Sequence, residues 1–151
     1  MNIISSKIIS EQQSEQINTL WNAEYPTKLK DRFPILLEGT NWHNHYIIED
    51  AHQHVIAWAV DFEKEQQVRF SIIVSSNHKG KGLGSRLIEE LKAKNQEFYG
   101  WVIDHNNDVK ANGEQYITPM PFYIKHGFEI LHDKTIDNEM IKAVLIKWQA
   151  Q

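Results

Sequence analysis

The segment Ser75-Ser76-Asn77-His78-Lys79-Gly80-Lys81-Gly82-Leu83-Gly84-Ser85-Arg86 sets three glycines within five residues beside two lysines, directly after the apolar run Ile72-Ile73-Val74. Glycines let backbone amides approach a ligand closely, and the N-terminus of a helix presents unpaired N–H groups and a positive dipole end to an anion. The chemistry such a turn offers is the holding of a phosphate or pyrophosphate, with Lys79 and Lys81 adding point charges. Two well-known phosphate loops are excluded by spacing. A Walker turn needs Lys and then Ser/Thr directly after its last glycine, where this chain has Ser85-Arg86, and a dinucleotide turn needs a glycine at position 85. On spacing alone a phosphate site and a flexible surface turn both stay open.

Other reactive side chains are fewer. The chain has no cysteine, so disulfides, thiolate nucleophiles and Cys-based zinc sites are excluded. His43, His45, His52 and His54 form two H-x-H pairs whose i, i+2 members share a strand face. With no Asp or Glu clearly in register, they read as exposed turn histidines, and no metal is expected. Among the tryptophans, Trp42 lies in a polar stretch and is a candidate for a surface role, whereas Trp21, Trp58, Trp101 and Trp148 fit a core.

The elements that must position the glycine turn are legible from periodicity. Val68 to Ser75 reads as the strand that feeds the turn, and Leu83, Leu87, Ile88 and Leu91 recur at helical spacing to about Asn95. Ahead of them come a strand over Ile3 to Ile9 and a helix opened by the capping box Ser10-Glu11-Gln12-Gln13 and closed before Pro26. A second, shorter helix is predicted over Lys28 to Leu37, then a loop at Asn41-Trp42-His43-Asn44, then strands at Tyr46-Ile47-Ile48 and Val55 to Phe62. After the glycine turn follow a strand from Phe98 to Ile103 and a long polar loop from Asn106 to Met120. A short helix from Pro121, closed by Gly127, leads to strands at Phe128-Glu129-Ile130 and Ile141 to Trp148.

At 151 residues and 17.7 kDa the chain holds one domain, here 1–151, with no linker-like stretch or repeat. Its longest apolar runs fall far short of the roughly 20 residues a spanning helix needs, so no membrane partner is expected. The first residues lack the apolar core of a secretory signal, and the missing cysteine is compatible with a cytoplasmic location. A net charge of -4 argues against a nucleic-acid partner.

Lys79-Gly80-Lys81-Gly82-Leu83-Gly84 resembles the acetyl-CoA signature of the GCN5-related N-acetyltransferase (GNAT) family, (Arg/Gln)-x-x-Gly-x-(Gly/Ala), with Lys79 where Arg or Gln is usual. Phe122-Tyr123-Ile124-Lys125-His126-Gly127-Phe128 resembles the family's second signature, in the expected order and with a strand between the two. The resemblance covers nearly the whole chain. It implies an α/β (α+β) fold, a mixed, mostly antiparallel twisted sheet flanked by helices, and direct transfer of an acetyl group from acetyl-CoA to an amine of a small molecule or peptide.

For individual residues it implies that Lys79, Gly80, Lys81, Gly82, Leu83 and Gly84 hold the CoA pyrophosphate with Ser85 nearby. Ile72, Ile73 and Val74 would pair with pantetheine, and Tyr123 would protonate the departing thiolate. Asp104 and His105, at the end of the strand expected across the cleft, are the candidates for the base. Tyr116 and Pro119 stand where many relatives carry Asn and Ala, and Glu24 to Asn44 lies where relatives build acceptor specificity. A non-catalytic acyl-CoA-binding module and a transferase of longer acyl groups are the alternatives, and the acetyltransferase reading is compatible with a homodimer.

Overall fold

In the computed structural model, which describes residues 2–151, the capping box closes as its residue types demand. Ser10 Oγ accepts from the Gln13 amide and Gln13 Oε1 accepts from the Ser10 amide, both at 3.0 Å, and start helix α1 (Glu11–Glu24). Pro26, two residues beyond Glu24, holds the C-cap Tyr25 in an extended conformation and ends the helix.

Seven strands form one sheet, β1 (Ile3–Ser6), β2 (Trp42–Glu49), β3 (Val55–Lys64), β4 (Gln67–Val74), β5 (Glu97–Val102), β6 (Glu129–Asp137) and β7 (Lys142–Gln149), in the order β1-β2-β3-β4-β5-β7-β6. Every neighbouring pair is antiparallel except β4 with β5. The predicted α+β class is therefore the observed one. Helix α2 (Phe33–Leu36) joins α1 on one face of the sheet, and α3 (Leu83–Lys94) with α4 (Met120–Lys125) covers the other.

Strand alternation divides the core accordingly. Trp58, Val60, Phe62 and Ile73 pack with Ile17, Leu20, Trp21 and Phe33 beneath α1 and α2. Phe70, Phe98, Tyr123 and Phe128 pack with Leu83, Leu87, Ile88 and Leu91 beneath α3 and α4.

Three boundaries differ from expectation. Asn41 to Asn44, expected as a loop, contributes the start of β2, because β3 is long enough to pair Trp42 with Glu63 and His43 with Phe62. The expected helix over Lys28 to Leu37 is broken into a single 3-10 turn at Thr27–Leu29 and the one-turn α2, separated by Asp31 in a left-handed conformation at φ 60°. The first strand stops at Ser6, and Ile8 is exposed.

Candidate active site

The parallel strands β4 and β5 share one register pair, Arg69 with Tyr99. Beyond it β4 keeps β3 on one side, where Val74 still faces Ala57, and has no strand on the other. Gly100 marks the point of separation, because a Cβ there would overlap the Phe70 ring that lies across it. A cavity of about 1320 Å³ opens between the two strands, walled by Phe70 to Val74 on one side and Trp101 to Ile103 on the other.

The glycine turn stands at the end of the β4 wall. Gly80 and Gly82 have φ of 80° and 78°, the left-handed region that favours glycine, and space is open where a Cβ would project from either. Gly82 is also the N-cap of α3 and offers no side-chain bond, so the first amides of that helix lack a side-chain partner. Gly84 serves packing, since a Cβ there would crowd the Phe122 ring at 3.2 Å. All the expected cofactor-binding residues line the cavity except Lys81, which is exposed. Ser85 is also bonded across to the second signature, with Oγ 3.0 Å from His126 Nε2. An uncapped helix start, open glycines and a free strand edge fit a ligand with a pyrophosphate and an amide-bearing arm.

Tyr123, from α4, is buried against Phe70, Phe122 and Phe128, with ring centroids 5.2 to 5.6 Å apart. Its hydroxyl makes no hydrogen bond among the described residues, and the side chain lines the cavity. Burial first, then the neighbouring Tyr25 and Tyr116, raises its pKa well above the usual phenol value, so it stays protonated across the neutral range.

On the opposite face of β4, Tyr25 Oη lies 2.9 Å from Ser71 Oγ, and the Tyr25 ring is 6.3 Å from that of Tyr116. Both tyrosines line the cavity, and burial raises the pKa of each.

Glu24, the last residue of α1, ties this face to the glycine turn and to the long loop. It accepts from Ser76 N at 2.9 Å and Ser76 Oγ at 2.6 Å, and pairs with Lys110 at 3.4 Å and Lys79 at 3.9 Å. Burial works against its charge, but the two Ser76 bonds and the two lysines outweigh it and hold the carboxyl below its usual range.

A family model described as the acetyltransferase (GNAT) domain matches residues 41–130, more than half of the chain. The chain belongs to the GNAT acetyltransferase family. Solved structures share the fold at low identity. Escherichia coli ElaA superposes with a TM-score of 0.73 at 13% identity, covering 99% of this chain and 100% of that one. A GNAT-family acetyltransferase of Staphylococcus aureus gives 0.66 at 10% identity over 99% and 100%. A point mutant of the spermidine N-acetyltransferase SpeG of Vibrio cholerae gives 0.60 at 16% over 99% and 95%. No curated protein matches by sequence.

In this GNAT domain the two base candidates lie off the cavity lining. Asp104 is exposed. His105 Nδ1 accepts from the Asn107 amide at 3.1 Å, and its Nε2 faces Asp108 at 3.9 Å, so the ring organises the loop. Both residues end the expected strand, but the chain turns outward there, which strand periodicity does not encode.

The two histidine pairs do not meet, since His43 and His45 lie in β2 and His52 and His54 lie in the turn beyond its far end. His45 is buried, contrary to expectation, and accepts from Trp58 Nε1 at 3.0 Å, with burial and then His43 holding its pKa down to about 4. No group of three or more potential metal ligands occurs among the described residues, nor any helix long and apolar enough to cross a membrane. Sequence reading missed Ser71 and Lys110 as parts of the site, and it reached Glu24 and Tyr25 only as members of the acceptor-side segment Glu24 to Asn44. Their contacts join positions 46 to 86 residues apart, and no local signal marks them.

Proposed function

We propose that the protein transfers an acetyl group from acetyl-CoA directly to an amine of a small molecule or peptide. One arrangement supports this reading most: the free edge of β4, the glycine turn and the Tyr123 side chain all line one cavity. The co-substrate would supply the activated acetyl group and the only reactive sulfur, since the chain has no cysteine.

The amides from Gly80 to Ser85, helped by Lys79, hold the pyrophosphate, and Ile72, Ile73 and Val74 offer N–H and C=O groups to the pantetheine amides. An N–H of the same edge polarises the thioester carbonyl. Tyr123 Oη, whose raised pKa keeps its proton in place, gives that proton to the thiolate as the C–S bond breaks, and the proton that the amine nitrogen loses on forming the C–N bond passes through solvent and restores the phenol. Tyr25 and Ser71 hydroxyls, on the other face of β4, orient the amine. Glu24 lines the cavity but is held ionised in its pairs and is a weak base, so the acceptor amine enters with its proton already lost to solvent. A chain without cysteine suits a cytoplasmic setting.

The test is a thermal-shift titration with acetyl-CoA followed by thiol release across a panel of amines. Acetyl-CoA is expected to raise the melting temperature and at least one amine to release thiol with a matching acetylated product. Absence of both effects at millimolar ligand would overturn the proposal.

A further inference from the structure

We infer that the acceptor amine also carries an oxyanionic group, carboxylate or phosphoryl, and that Arg32, Lys64 and Arg69 bind it; the inference rests on the acetyl-transfer reading above. Alternation along β4 puts Arg69, Ser71 and Ile73 on one face and Phe70, Ile72 and Val74 on the other. In the β3–β4 register Arg69 stands opposite Phe62, and Lys64 follows two residues after Phe62. Lys64 and Arg69 therefore share the α1 and α2 face with the Tyr25–Ser71 pair, and Arg32 immediately precedes α2 on that face. All three are part-buried and line the cavity. Helix α3, with the phosphate-type turn at its start, packs on the opposite face, so this cluster is separate from the groups expected to hold CoA.

What marks the cluster is that two of its three cations, Arg32 and Lys64, lack counter-charge, and the third has only an exposed partner. Arg32 and Lys64 have no carboxylate within 4.0 Å and no side-chain hydrogen bond among the described residues. Arg69 donates from Nε to Gln67 at 3.0 Å, and its ion pair is with Glu65, at 3.5 Å and with a side chain 76% exposed. None of the other carboxylates nearby pairs with the three cations. Asp31 accepts from Asn18 and Asn22, Glu24 is held by Ser76 and Lys110, and Glu139, which lines the cavity from the β6–β7 turn, is exposed and forms no ion pair with the three cations.

Part-buried cations without partners lose hydration with nothing to offset it. An incoming oxyanion supplies that offset, and two guanidinium forks with an ammonium match the acceptor geometry of carboxylate or phosphoryl oxygens. A polyamine, which carries only positive charge, is disfavoured at the same place.

The experiment compares matched acceptors with acetyl-CoA saturating, with kcat/KM referred to the neutral-amine concentration because esterification lowers the amine pKa: amino acids against their methyl esters, and aminoalkylphosphonates against their diesters, each with the wild type and with Arg32→Gln, Lys64→Gln and Arg69→Gln. The anionic member is expected to have the higher kcat/KM by roughly tenfold or more, as charge-assisted bonds provide. Arg32→Gln and Lys64→Gln are expected to erase most of that preference through KM while leaving the ester rates and the acetyl-CoA thermal shift unchanged. The relative rates of carboxylates and phosphonates identify which oxyanion fits. Arg69→Gln also loses its contacts to Gln67 and Glu65, so if it misfolds the other two variants decide.

Esters used as well as or better than acids, or equal losses on both members of a pair, would overturn the inference while acetyl transfer stands. Failure of every amine to be acetylated, with acetyl-CoA bound, would instead overturn the transfer reading and this one with it.

Discussion

Tyr123→Phe removes one oxygen from the site and leaves the aromatic packing with Phe70, Phe122 and Phe128 in place. Because the hydroxyl bonds to no described residue, its loss breaks no protein hydrogen bond and relieves the burial that raises its pKa. Stability is therefore expected to hold or to rise, by up to about 1–3 kcal/mol, the cost of a buried polar group without a partner. Catalysis is another matter. General acid catalysis contributes typically ~10²–10⁴-fold, so kcat is expected to fall by roughly a hundredfold or more, equivalent to about 2.7 kcal/mol, with the KM for acetyl-CoA shifted far less. The assay is thiol release under saturating amine, paired with thermal melts of both proteins. The pH dependence adds a second handle, because the raised pKa keeps the wild-type proton in place to well above neutrality and any alkaline loss of activity should come beyond the usual phenol range. Undiminished turnover in the variant would refute the acid role, and a large fall in melting temperature would show that the hydroxyl is structural.

Four further outcomes follow from the geometry. Gly82→Asp puts a carboxylate in the open space before α3; like charges a few ångströms apart there repel by roughly 1–4 kcal/mol, so acetyl-CoA affinity measured by calorimetry should fall at least about fivefold, while the free protein should lose about 1–2 kcal/mol in melts because Asp is held at the left-handed φ of 78°. Gly100→Ala forces a methyl against the Phe70 ring where β4 and β5 part, and denaturant melts should show a loss of ~1–3 kcal/mol. Glu24→Gln should cost about 1–3 kcal/mol at neutral pH through its lost charge-assisted bonds; because the folded pKa is depressed, that difference is present above the usual carboxylate range and should vanish as the pH falls through the folded value. Asp104→Asn should leave kcat/KM within about twofold, in keeping with an exposed side chain off the cavity and with the small effects usual for surface substitutions.

What the sequence disclosed and what it hid divide along sequence distance. The glycine turn, the helix after it and the strand before it are contiguous, so composition and period locate them together, and Ser10 with Gln13 is a four-residue motif whose geometry follows from its chemistry. The sheet order is harder, because β7 inserts between β5 and β6 and nothing in the local pattern of Lys142 to Gln149 says so. Asn44 reads as loop on polarity, yet β3 recruits it into a strand and its side chain helps to satisfy buried Asp61. Tyr25 reads as the end of a helix and Tyr116 as a departure from a motif, and the fold turns both toward one cavity.

The same division organises the site. The half facing α3 is built from one continuous stretch, Ile72 to Ser85, and from α4, so its geometry is fixed by local backbone conformation and short-range packing. The half facing α1 is assembled from the end of α1, the segment before α2, strands β3 and β4 and the loop that carries Lys110 and Tyr116, joined by Glu24, by the Pro26–Lys110 bridge and by the Lys28–Asp108 pair at 3.0 Å. Cross-links of that length depend on side chains that substitution can exchange without disturbing the glycine turn. Acceptor preference can therefore change while the phosphate-type turn stays intact, and the inferred oxyanion site places that preference, for this chain, at Arg32 and Lys64, which line the cavity without an ion-pair partner among the described residues.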